Sequence, residues 1–137
     1  MPVSHSEIRA HRPVGLVVIA VIELLEAAVL LVLAALAIAA GPGSPYPQTA
    51  YGVGGTLVLA AALLVLVGVG TLRGRTWSRT SGMVWQVVQI LVGLYALQGQ
   101  GAQPVFAVAA IVPAAVALVL GFTRPVRDAT ARSTGSA

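Results

Sequence analysis

The chain of 137 residues contains no cysteine and no lysine, and only 9% of its residues are charged. The missing cysteine excludes disulfides, zinc–thiolate sites, thiol redox chemistry and cysteine nucleophiles together. The missing lysine makes arginine the only basic side chain outside the histidines: eight Arg stand against four acids, for a net charge of +4. Soluble domains carry about 25% charged residues. Here 58% of residues are hydrophobic and the mean hydropathy is +0.93. A water-soluble domain of this composition would expose large apolar patches, which soluble monomers avoid. The expected solvent is lipid. The arginines form short clusters beside apolar runs, with no aromatic-interleaved basic surface, so the high isoelectric point does not indicate nucleic-acid binding.

The length accommodates one domain. A bilayer-spanning helix needs about 20 mainly apolar residues, and four segments qualify: roughly 13–40, 53–72, 81–97 and 105–122. The fold class expected is all-α, a polytopic membrane bundle of four transmembrane helices over residues 13–123. A polar segment, 1–12, precedes it, and a disordered tail, 124–137, follows. Between the spans, Gly41–Gln48 is rich in Gly and Pro and reads as a loop. Gly74–Arg79 reads as a basic turn, and Gly99–Pro104 as a polar turn. The first apolar run exceeds the about 7–15 residues of a signal-peptide core and contains two glutamates. It is therefore read as a retained helix, despite the small-residue Ala37-Ile38-Ala39.

Arginine placement predicts orientation. Arg9 and Arg12 precede the first span, Arg73, Arg75 and Arg79 separate the second from the third, and Arg124, Arg127 and Arg132 follow the fourth. The other two loops carry no charge. By the positive-inside rule, every arginine and both termini lie in the cytoplasm of a plasma-membrane protein. Arg73, Arg75, Arg79, Arg124 and Arg127 are read first as topology determinants and second as contacts for lipid headgroups. Trp77, Tyr46 and Tyr51 are placed as interfacial anchors.

The charges that break this pattern are Glu23 and Glu26, inside the first span. An ionisable group at bilayer depth is costly and is a functional-site hypothesis by default. Helical spacing sets Ala20, Glu23, Ala27, Leu30 and Ala34 on one face, with Glu26 at its flank. In the third span Gly82, Gln86, Gln89, Gly93, Ala96 and Gln100 form a polar and small stripe, with Trp85 beside it. In the fourth, Ala107, Ala110, Ala114, Ala117 and Gly121 form a small one, bent near Pro113. The second span offers two faces: Gly54, Ala61 and Gly68, or Thr56, Ala60 and Gly70. Counted from the expected helix starts, Glu23 lies about 15 Å deep and Gln89 about 13 Å, at 1.5 Å per residue. A mid-membrane cluster of Glu23, Glu26, Gln86 and Gln89 follows, with Glu23 paired to Gln89. With no intramembrane cation to compensate, at least one glutamate is expected to carry a proton at neutral pH, and the two to titrate as a pair.

No hydrolase elbow, phosphate loop or metal-ligand spacing is present. His5 and His11 are isolated, and no metal or other cofactor is implied. The leading reading is a non-enzymatic membrane protein working through helix–helix association, as a homo-oligomer or an accessory subunit of another membrane protein. The alternative is a proton-coupled transporter of a small cationic or amphipathic substrate, using Glu23 and Glu26.

Two resemblances bear on this. Arg12-Pro13-Val14-Gly15-Leu16 enters the first helix, and Arg73-Gly74-Arg75-Thr76-Trp77-Ser78-Arg79 is followed by Val84-Trp85-Gln86. With them the whole layout resembles small integral membrane proteins of high-GC actinobacteria that carry no assigned function, which implies a membrane location and no particular activity. Four short helices with a glutamate in the first also resemble, in layout, small multidrug-resistance transporters. That likeness implies a proton-for-cation exchange role for Glu23 or Glu26. The chain departs from them in having two glutamates and a polar third helix.

Overall fold

The computed structural model describes residues 12–98 and 104–132. The N-terminal segment before Arg12, with His5 and His11, lies outside the described residues, as do Gln100 and most of the polar turn that contains it. Four long helices, apolar enough to cross a membrane, form the body: α1 (Val14–Ala40), α2 (Pro47–Leu72), α3 (Thr76–Gln98) and α4 (Pro104–Gly121). A short helix, α5 (Arg124–Ala131), follows. The described residues contain no strand.

α1 packs most closely on α2, and α3 on α4, so the bundle is two helical hairpins laid side by side. α2 also meets α3, and α4 meets α1, which leaves α1 and α3 on a diagonal with little direct backbone contact. Small residues set the close approach within each hairpin. Ala20, Ala27 and Ala34 of α1 and Gly54, Ala61 and Gly68 of α2 are all buried. A Cβ placed on Gly54 would stand 2.5 Å from Ile38 and 3.3 Å from the Ala34 carbonyl. The seven-residue face of α2 is thus the one packed on α1; of the other face that the sequence offered, Thr56 is exposed while Gly70 is buried against Ser78 of α3. In the second hairpin, Gly93 lies against Ile111 and the Ala107 carbonyl, and Ala107, Ala114, Ala117 and Gly121 are buried. In lipid, where apolar surface alone gives no drive to associate, such close backbone approach supplies the packing energy.

Two helix starts differ from expectation. α2 begins at Pro47, inside the stretch read as a loop, because proline suits a first helical position, where its missing N–H would have no partner anyway. Only Gly41–Gly43, a 3₁₀ turn, and Ser44–Tyr46 remain between the helices of the first hairpin. α3 begins at Thr76, so most of the basic turn is its first helical turn. What separates α2 from α3 is tight. Gly74 adopts φ +69°, its N–H reaches the Thr71 carbonyl at 2.9 Å, and the Arg75 N–H reaches the Gly70 carbonyl at 3.0 Å. This left-handed cap satisfies the last carbonyls of α2 and requires glycine.

The tail expected to be disordered is ordered over α5. Its Val126 and Thr130 face inward while Arg124, Arg127 and Asp128 face out, an amphipathic pattern too short to be conspicuous in sequence. Val126, 1% exposed, joins Leu16, Ile19 and Ala117 in one apolar cluster, and the Thr76 hydroxyl donates to the Thr130 carbonyl at 2.9 Å. α5 therefore caps the arginine-bearing end of the bundle. Val126→Ser should remove roughly 1–2 kcal/mol of docking energy. Hydrogen exchange is expected to show lost protection over Arg124–Ala131 with the four long helices still protected; unchanged protection there would mean that Val126 does not hold α5.

Candidate functional site: a polar centre joining the two hairpins

Glu26 lies half-buried on α1 and is the hub of the site. Its Oε2 accepts hydrogen bonds from Trp85 Nε1 at 3.2 Å and Gln86 Nε2 at 3.3 Å, and its Oε1 accepts one from Gln89 Nε2 at 3.2 Å. All three donors come from α3, the diagonal partner with which α1 has little direct backbone contact. Gln89 Nε2 also donates to the Ala110 carbonyl of α4 at 3.4 Å, in the turn preceding Pro113. Pro113 lacks the N–H that would bond the Ala109 carbonyl four residues back, so Ala110 sits beside a break in the α4 ladder, and its carbonyl takes the amide as an additional donor.

This differs from the pairing of Glu23 with Gln89, and the early start of α3 explains it. Counted from Thr76, Gln86 lies about 15 Å along α3 and Gln89 about 20 Å, while Glu23 and Glu26 lie about 14 Å and about 18 Å along α1. Gln89 is therefore level with Glu26, and Gln86 with Glu23. The four residues do come together; the register between them is one helical turn away from the one expected.

Glu23 is fully buried and has a different environment. Its carboxyl lies against Gly82 of α3, where a Cβ would overlap its Oε1. Neither of its oxygens has a hydrogen-bond partner among the described residues. The Thr71 hydroxyl of α2 is the neighbouring polar group, near but not in bonding geometry, and it too is unpartnered. So is Gln86 Oε1. The orientation of that amide follows from Glu26: the reverse would set an oxygen against a carboxylate. Glu23, Thr71 and Gln86 line one cavity of about 10 Å³, together with Arg79, Gly82 and Met83. That volume matches roughly one water molecule, and the site has the two to four polar partners a buried water needs.

Arg79 is the residue that sequence reasoning placed elsewhere. By sequence it falls in the short basic turn between the second and third spans, which leaves no cation near the glutamates. It instead occupies the first turn of α3, half-buried, with Nε donating to the Gly121 carbonyl at 3.1 Å. It lines the same cavity as Glu23. The signal lay in spacing: Arg79, Gly82 and Gln86 follow at intervals of three and four, one face of a helix that starts before Arg79. Among the described residues the other arginines do not line this cavity; Arg75, Arg124 and Arg127 are exposed, and Arg73 lies at the α2 cap.

Chemically, the centre is a cross-bundle hydrogen-bond network with one carboxylate saturated and one held beside a water-sized space. Among the described residues no cluster of three or more His, Asp or Glu could hold a metal ion.

Two substitutions separate the roles. Glu26→Leu leaves three α3 donors without their acceptor and should weaken packing between the hairpins by roughly 1–3 kcal/mol, measured by unfolding in mixed micelles. Gly82→Ala should destabilise by a similar 1–3 kcal/mol by overlapping Glu23, and Glu23→Ala should relieve most of that loss. Additive effects in this double-mutant cycle would contradict the contact. No protein-family model, curated protein or solved structure matches this chain.

Proposed function

We propose that the chain is a non-enzymatic integral membrane protein that works through helix–helix association, its two hairpins locked by the Glu26 network. The arginine-bearing end, with both termini, faces the cytoplasm of the plasma membrane. The observation that carries this reading is how closely the protein itself fills the polar centre. Glu26 is saturated by three protein donors, and the space beside Glu23, about 10 Å³, admits no substrate. A carrier needs a water-accessible route to its exchange site; a scaffold needs a packed one.

The outward faces supply the association surface. An apolar groove of about 320 Å³ runs between α2 and α3, lined by Leu63, Leu66, Trp77, Val84 and Val88. It suits a further transmembrane helix, from a second copy or from another membrane protein. Trp85 lines this groove and also donates to Glu26, so a helix seated there would bear on the polar centre.

The second reading is proton-coupled transport of a small cationic or amphipathic substrate. One observation favours it: the two unpartnered oxygens of Glu23, a buried acceptor in want of a proton or cation.

One reconstitution separates the two. Donor- and acceptor-labelled protein in liposomes should show energy transfer that falls as lipid dilutes the protein. Val84→Trp, which fills the groove, should lower that transfer at least several-fold while leaving helix content unchanged. A monomer at every lipid ratio, together with cation flux driven by a pH gradient and abolished by Glu23→Gln, would replace the association reading with transport.

A further inference from the structure

A second concave site lies at the arginine-bearing end, apart from the glutamates. Three segments distant in sequence meet there: the entry to α1, the cap of α2 and the end of α5. They bring Arg12, Arg73 and Arg132 around one cavity of about 430 Å³. Its remaining wall includes Pro13, Leu16 and Leu72, which are apolar, and among the described residues no acidic side chain lines it. Asp128, the acid of α5, is exposed and does not line it. Arg132 donates its Nε to the Asp128 carbonyl at 3.2 Å, which anchors the side chain at the helix end.

Topology alone does not call for this convergence. Any arginine in a cytoplasmic loop contributes to orientation, wherever its side chain points. Three guanidinium groups around one hollow repel one another, and an anion between them relieves that repulsion. Arginine presents a planar fork of donors that matches phosphate oxygens. The volume falls within the range of small-molecule sites. The cavity also lies at the end of the bundle, beside the first residues of α1 and the last of α2.

We propose that Arg12, Arg73 and Arg132 form a binding site for the phosphate of an anionic lipid headgroup. The guanidinium groups take the phosphate, and Pro13, Leu16 and Leu72 lie along the glycerol and the upper acyl chain. The apolar wall is what favours a lipid over a soluble phosphate, which would leave that wall unused. α5 completes the site, so its docking through Val126 and lipid binding support each other.

The test uses the full chain, purified in detergent and titrated with phosphatidylglycerol, phosphatidylcholine or inorganic phosphate, with binding read by native mass spectrometry and thermal shift. Saturable binding of phosphatidylglycerol, at least about tenfold tighter than phosphatidylcholine, is expected. The triple variant R12Q/R73Q/R132Q should lose that preference. R124Q/R127Q, which removes two exposed arginines outside the site, should keep it. Arg12→Gln and Arg132→Gln alone, at exposed positions, should each weaken binding several-fold, so the result does not depend on the triple variant folding. Equal affinity for the two lipids, or equal losses in R124Q/R127Q, would overturn the site. Displacement of the lipid by millimolar inorganic phosphate would overturn the lipid assignment and make the ligand a soluble phosphate.

Discussion

A carboxylate set among apolar helices is cut off from bulk water, so most of its partners must come from the protein. This constraint organises the bundle. Glu26 stands on α1, and the donors that satisfy it stand on α3, the helix across the diagonal. Small-residue packing explains why α1 joins α2 and why α3 joins α4, and Gly70 of α2 against Ser78 of α3 adds a close contact between the hairpins. The glutamate network acts between them. Gln89 extends it to the α4 backbone, and Thr71 of α2 borders it through the Glu23 cavity, so all four long helices contribute.

The two glutamates are one helical turn apart and serve different ends. Glu26 is matched in number: one carboxylate, three nearby donors. Glu23 is buried more completely and has no direct donor in bonding geometry. Leaving a buried polar group unsatisfied costs about 1–3 kcal/mol, and an apolar side chain there would avoid that cost. Glycine at position 82 makes the space that the Glu23 carboxyl occupies, and Arg79 lies one turn away on the same face. The arrangement accommodates this particular side chain rather than merely tolerating it. Fold stability alone gives no reason for it.

Much of this was legible in the sequence because lipid imposes simple rules. Four apolar runs mark four helices, and the small-residue stripes at Ala20, Ala27 and Ala34, and at Ala107, Ala114 and Ala117, mark the buried faces. Glu23, Glu26, Gln86 and Gln89 were placed together from periodicity. The pairing among them was not legible, because depth was counted from a helix start five residues late. Hydropathy does not see a first turn such as Thr76–Arg79, which is polar yet helical. The same blindness hid Pro47 as a helix start and α5 as a helix: one inward valine, Val126, is too weak a signal without knowing what it meets.

The misjudged start of α3 also changes how its arginines are understood. A residue in a loop answers to topology, and one on a helix face answers to geometry as well. Arg79 shows the difference: once α3 begins at Thr76, the three-residue step to Gly82 carries it onto the face that meets Glu23, and its Nε caps the last carbonyl of α4. Arg73 and Arg75 flank the left-handed Gly74 and point away from that face. One short basic cluster is thus divided by a single tight turn. Part of it goes to the polar centre and part to the rim of the bundle.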